Sequence, residues 1–293
     1  MANHFACIGL WEGDMQQSFE KLAPLLEQAG DDVPPAPPFR HRRWTDPSGA
    51  SVAVHSRAGV VECITPWFAP TGGVTRWHVR TCRVATDPDC VHCSGADCDV
   101  LDERFEQVTR ACVQWLHFQP WERLLAEPHE LELEVVAFAD EAHFFTTPEA
   151  FTQAQSTWFD SDGKGAPTGP AGTPLSFAED AFVPIGMFGN EPRSMAERAS
   201  AMFGGRVEHV EERVVDTFGT GFQHVRIRTL PGAIDVLIEP GSAEGVPQLG
   251  SIAWVQGWLV GRPTSPPPSY PRVLRPAGST RRGWWARMLR KKG

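Results

Sequence analysis

Three cysteines stand within nine residues of the stretch DPDCVHCSGADCDVLD (87–102), spaced Cys90-x2-Cys93-x4-Cys98. Thiolates are strong zinc ligands, and a C-x2-C pair lets one turn supply two corners of a tetrahedron. The spacing also fills the first three positions of a zinc knuckle, except that Cys98 stands where that motif has His. Its fourth position falls on Glu103. A closed site therefore needs Cys82, His92 or a neighbour in space as its last ligand. Asp87, Asp89, Asp97 and Asp99 crowd the loop with negative charge, which raises thiol pKa values and works against a reactive nucleophile. The first reading is a loop that binds nothing; next come a structural zinc on Cys90, Cys93 and Cys98 with Cys82 or His92, and last a redox or catalytic use.

The second stretch with chemical character is RRGWWARMLRKKG (281–293). Trp284, Trp285, Met288 and Leu289 are set there among Arg281, Arg282, Arg287, Arg290, Lys291 and Lys292. In a short helix Trp285, Met288 and Leu289 share one face. Trp favours the membrane–water interface and basic side chains favour anionic headgroups, at about 1 kcal/mol each. From Pro263 onward there are eight Arg and Lys and no acidic residue. Removing those eight from the 27 basic residues leaves 19 against 36 acidic ones, so the rest of the chain carries about −17. Such a body repels nucleic acid, and any anionic partner has to meet the tail.

Other catalytic patterns are missing from the sequence. There is no Gly-x-Ser-x-Gly elbow, phosphate-binding loop or dinucleotide fingerprint. PHELELE (128–134) imitates a metalloprotease helix but has Leu133 where the second His belongs, and it alternates like a strand. His4, His55, His78 and His224 fall on strand candidates and read as structural or surface residues. Trp44, Trp67 and Trp77 read as core aromatics before they read as a ligand groove.

The elements that must position these residues follow from periodicity. Residues 4–11 have the flavour of a strand, and 14–30 read as a helix with Asp14 at its N-cap and Gly30 at its end. Residues 51–56 and 60–68 flank RAG and resemble a hairpin, and 75–85 alternate as a third strand. Residues 99–118 carry Phe105, Val108, Cys112, Trp115 and Leu116 on one helical face and are predicted as a second helix. A strand over 130–139, a helix over 146–159, a Gly/Pro-rich linker and strands over 206–216, 222–230, 233–239 and 252–261 complete the series.

FGGRVEHVEERVVDTFGTGFQHVRIRTLPGAIDVLIEP, together with GSIAWVQGWLVGRP, resembles the C-terminal part of an uncharacterised bacterial protein family. MANHFACIGLW and DPSGASVAVH are similar to its N-terminal part. The resemblance implies no activity and no catalytic residue.

With 293 residues, 41 % of them apolar, a core forms without help from metals or bridges. An odd count of seven cysteines argues against a disulfide framework. The N-terminus shows no secretory pattern, and no segment has the roughly 18 apolar residues of a membrane span. The fold expectation is α+β: a mixed α/β domain over 1–159, a linker over 160–174, a small OB-like β-barrel over 175–262, and a Pro-rich spacer with a mobile basic tail over 263–293. The functional expectation is a non-enzymatic cytoplasmic interaction or adaptor protein. Its tail would dock on a protein partner or weakly on the inner face of the membrane. A metal-binding protein or enzyme using the Cys82–Glu103 region is the alternative, and a nucleic-acid-binding OB module ranks last.

Overall fold

A computed structural model describes residues 4–11, 13–32, 38–87, 90, 93–122, 125, 127–158, 176–188 and 194–265. The linker over 160–174, His92 and the tail residues Arg281, Arg282, Trp284, Trp285, Arg287, Met288, Leu289, Arg290, Lys291 and Lys292 lie outside the described residues.

Among the described residues the chain is mostly β, 52 % strand and 14 % helical with three α-helices, which corrects the α+β expectation. Helix α1 (Met15–Gln28) starts where Asp14 accepts the Gln17 amide at 2.8 Å, a side-chain cap for one orphan donor. Strands β1 (Gly30–Asp31), β2 (Phe39–Thr45), β3 (Ala50–Arg57) and β4 (Val60–Phe68) form an antiparallel sheet in that order. Strands β5 (Arg76–Ala85), β6 (Gly95–Leu101), β7 (Gln107–Trp115) and β8 (Glu130–Phe145) begin a second, larger sheet. After α2 (Pro148–Trp158) come β9 (Phe182–Val183), α3 (Met195–Arg198), β10 (Ser200–Val215), β11 (Thr220–Thr229), β12 (Gly232–Ile238), β13 (Ala243–Glu244) and β14 (Ile252–Pro263), all of whose strands join that second sheet.

The ladder between β8 and β14 runs from Phe145↔Ile252 to Leu133↔Pro263 and organises the larger sheet. On its outer edges the partners change. Strand β8 pairs β5 at residues 130–134 and β12 at 136–138, while β14 pairs β10 at 252–258 and β7 at 260–261. One closed ring of pairing thus runs β8–β5–β6–β7–β14, and another runs β8–β12–β11–β10–β14. The expected barrel over 175–262 is corrected by the same pairings: its strands exist, but their ring closes only through β8, which comes from the other side of the linker.

Successive residues of the central ladder face opposite ways, as strand geometry demands. Val135, Ala137 and Leu259 point into one core, shared by both rings, with Trp77, Val113, Phe203 and Val225. Val136, Phe138, Trp258 and Val260 point into a second core between this sheet and the β1–β4 layer with α1, where Leu22, Leu26, Val52, Val54 and Trp67 meet them.

The expected helix over 99–118 is instead the end of β6, a turn and β7. Asp102 Oδ1 accepts the amides of Arg104 and Glu106 at 2.8 and 3.0 Å, and Phe105 takes φ +62°, which closes the turn. Beyond it β7 is sandwiched: Ala111, Val113 and Trp115 face the first core, Cys112 the second. A strand buried on both faces loses its alternation, and its apolar residues then imitate a helical stripe.

Candidate metal centre

The cysteine loop is broken up by the sheets. Cys98 lies on β6 and is fully buried in the first core, and Cys82 lies exposed on β5. Cys90 and Cys93 remain together, joined as a disulfide, and the thiol that reaches them is Cys63 of β4, 3.4 Å from Cys93 Sγ. Among the described residues, Cys63, Cys90 and Cys93 form one of three groups whose ligand atoms all lie within 4.8 Å of one another. Burial raises the Cys63 thiol pKa; the Thr65 hydroxyl lowers it in part, and Asp87 raises it further.

A second group stands beside the first and is made of histidine. His41 on β2 and His55 on β3 are directly opposed residues, so their side chains leave the sheet on the same face. His117 reaches them from the segment after β7, at φ +61°. This segment is tied down by the Trp115 amide to Ser94 carbonyl and the Leu116 amide to Gly261 carbonyl, at 3.0 and 2.8 Å. All three rings are buried.

Their centroids lie 5.4, 5.0 and 5.2 Å apart, with interplanar angles of 72°, 55° and 59°, so the rings fan around a common point and no pair stacks. Three imidazoles on one tetrahedral zinc, with metal–nitrogen distances near 2.0–2.1 Å, set their centroids about 5 Å apart. His41 Nδ1 and His55 Nδ1 are 3.1 Å apart, against about 3.3 Å for two ligands of such an ion.

The far nitrogens of His117 and His55 are held. His117 Nε2 lies 2.5 Å from Asp32 Oδ2, and His55 Nε2 lies 3.3 Å from Thr65 Oγ1. A carboxylate behind a ligating imidazole fixes its tautomer and its orientation. With Nε2 donating to Asp32, His117 Nδ1 carries the lone pair, and it has no hydrogen-bond partner among the described residues. Thr65 links the ring group to the sulfur group, since its Oγ1 also lies 3.8 Å from Cys63 Sγ.

Charge around the site is balanced by pairs. Arg43 Nη2 is 2.9 Å from Asp32 Oδ1, and Arg262 holds Glu134 Oε2 at 2.7 Å with its guanidinium over the Trp67 ring. Burial alone would raise the Asp32 carboxyl, but the His117 hydrogen bond and the Arg43 and Arg262 charges hold it below the usual carboxylate range. Burial pushes His117 below the usual imidazole range, against the pull of Asp32. The neutral imidazole that results is the form that binds a metal.

Of the expected metal residues, Cys90 and Cys93 stay in a cluster, Cys98 and Cys82 face elsewhere, and His92 is outside the described residues. Sequence reading missed Cys63, His41 and His117. The residues after Trp115 were absorbed into an imagined helix, and His41 follows a Pro-rich connector that hid the start of β2. His55 stood on a recognised strand, but a lone His carries no signal until its cross-strand partner is known. Compared with family models, curated proteins and solved structures, the chain matches none of them.

Proposed function

We propose that this is a metal-binding protein that holds one divalent transition-metal ion on His41, His55 and His117. The observation that carries the reading is the buried His117 Nδ1, whose tautomer is set by Asp32 and which has no hydrogen-bond partner among the described residues. Leaving such an atom unsatisfied costs about 1–3 kcal/mol, and a coordinated ion removes that cost. Imidazole ligands suit zinc, copper, nickel or iron. The paired charges Asp32, Glu134, Arg43 and Arg262 cancel, so the ion's own charge calls for an anionic fourth ligand such as hydroxide.

The residues come from β2, β3 and the segment after β7, and the rings are buried. Ligands drawn from three separate segments into a buried position suit an ion that ties layers together. The ion would lock the β1–β4 sheet onto the larger one, with its binding free energy appearing as folding stability.

Metal analysis of the full chain purified without chelator tests this. About one equivalent of metal is expected, lost in His55→Ala and kept in Cys90→Ser/Cys93→Ser; under about 0.2 equivalents in the unaltered chain disposes of it. A second reading rests on the tail sequence, whose six basic residues around two Trp suit an anionic surface or an acidic protein partner. Deleting residues 278–293 would then abolish partition to anionic vesicles at low salt, and unchanged partition would remove that role.

A further inference from the structure

We propose that His209, Glu211 and His224 form a second cation site, open to solvent and independent of the buried histidines. The three side chains are brought together by register. His209 and Glu211 alternate onto one face of β10, and His224 of β11 is directly opposite Glu211. A β-bulge between Val207 and His209 precedes them, the kind of irregularity that re-aims a side chain. His209 Nε2 lies 3.3 Å and His224 Nδ1 4.0 Å from the same carboxylate oxygen, Glu211 Oε2. The two rings are 5.2 Å apart, the spacing seen in the buried trio.

The second observation is behind His224. This ring is buried, and its Nε2 lies 2.7 Å from Oδ1 of Asp235, a fully buried carboxylate. Asp235 is itself fixed by the Thr75 amide at 2.6 Å and Arg226 Nε at 2.9 Å. These contacts hold it ionised, since the His224 and Arg226 hydrogen bonds outweigh the effect of its burial. In the neutral ring an acceptor on the Nε2 side assigns the proton to Nε2 and leaves Nδ1 as a lone pair on the side of Glu211. Nδ1 has no hydrogen-bond partner among the described residues, and 4.0 Å is too long for one to Glu211. A lone pair facing a carboxylate is repulsive until a cation sits between them.

Two imidazoles and one carboxylate form the three-ligand set that zinc sites use when a fourth position stays free for water. Here His209 and Glu211 are about half exposed (47 % and 41 % of their side chains), so that position faces solvent. The ligand is a divalent late transition-metal ion carrying exchangeable water, or an anion in its place. Arg213 shares Glu211 Oε2 at 2.7 Å while its Nη1 donates to the Ser48 carbonyl, so the ion competes with a fixed guanidinium. Binding is therefore weaker here than at the buried site.

The test strips the full chain of metal and titrates it with cobalt(II), following the visible spectrum and bound metal. Two equivalents are expected in the unaltered chain and one each in His209→Ala and His55→Ala. Azide should shift the cobalt spectrum of the unaltered chain and of His55→Ala and leave that of His209→Ala unmoved. Glu211→Gln, which keeps the side-chain shape, should weaken the second equivalent about tenfold or more. If His209→Ala and Glu211→Gln bind cobalt and respond to azide as the unaltered chain does, the site is a charge network and not a cation site. Loss of the His55-dependent equivalent alone would overturn the buried centre and leave this one standing.

Discussion

His117 Nε2 and Asp32 Oδ2 meet at 2.5 Å across 85 positions of sequence, joining the segment after β7 to the residue just past β1. Asp32 also pairs with Arg43, so one carboxylate orients the His117 ring and neutralises a cation. Asp32→Asn keeps the size of the side chain and removes the charge. Metal affinity at the buried site should fall about 10- to 100-fold, as outer-shell substitutions do. Competition against a chromophoric chelator measures this. An unchanged affinity would show that Asp32 does not act through His117.

Metal removal should register in stability. An ion that binds only the folded chain stabilises it by about 4 kcal/mol at a thousandfold excess over its dissociation constant. Chelation should therefore lower the thermal midpoint of the unaltered chain by several degrees and that of His55→Ala, which keeps only the weaker site, by much less. A midpoint indifferent to chelator in both proteins would mean that the ion does not tie the layers.

The thiols should sort by position. Cys7, Cys63, Cys82, Cys98 and Cys112 are free and Cys90–Cys93 is bridged, so the unfolded, unreduced chain should titrate five thiols and the reduced chain seven. In the native chain Cys82 should be alkylated first, because it alone among these five is exposed. It should react slowly at neutral pH, since desolvation and the Asp99 carboxylate raise its thiol pKa. Seven thiols without reductant would show the Cys90–Cys93 bridge to be open.

Alkaline pH gives a sharper reading of burial. Desolvation, with help from Glu239 and Asp140, pushes Cys7 up to about 12, and its Sγ donates to the Ala139 carbonyl at 3.4 Å. An unfolded thiol ionises near pH 8.5. A raised folded pKa means that the folded state keeps a proton which the unfolded state loses. The contribution is therefore intact below about pH 8.5 and is lost as pH rises toward 12. Cys98 and Cys112 act in the same direction. Urea midpoints should fall from pH 8 to 10, and Cys7→Ala should flatten that fall. An equal slope in both proteins would place Cys7 in contact with water.

Much of the strand content was legible because one face of each strand is wet or because a turn punctuates it. Residues 51–56 and 60–68 flank the turn at Gly59, and 222–230 end at Pro231; they appear as β3, β4 and β11. The helix over 14–30 was legible from Asp14 and its leucines. What local sequence does not hold is which distant edge a strand will find. Strand β8 takes β14 on one side and both β5 and β12 on the other, and no period in residues 130–145 encodes that choice. The candidate centre was hidden for the same reason: Cys63, His41 and His117 become neighbours only through cross-strand register and a left-handed residue at the end of β7. Nearness in sequence favoured Cys98, which the alternation of β6 turns into the core.

The corner of β10 offers a test of the ring itself. This strand pairs with β14 over 200–206 and with β11 from 206 onward, so it changes partner next to Gly204 and Gly205. A Cβ on Gly205 would stand 2.2 Å from the Arg228 carbonyl and 2.5 Å from Ile227 Cγ2. Neither can yield cheaply, because Arg228 is held in the β10–β11 ladder and Ile227 is buried in the first core. Gly205→Ala should therefore cost about 1–3 kcal/mol through strain at this corner. Gly72→Ala, where no atom lies within 4 Å of the added carbon, should change stability by no more than about 0.5 kcal/mol. Equal urea midpoints for the two variants would mean that β10 does not turn this corner as described. The ring through β8, β12, β11, β10 and β14 would then lose its closing step.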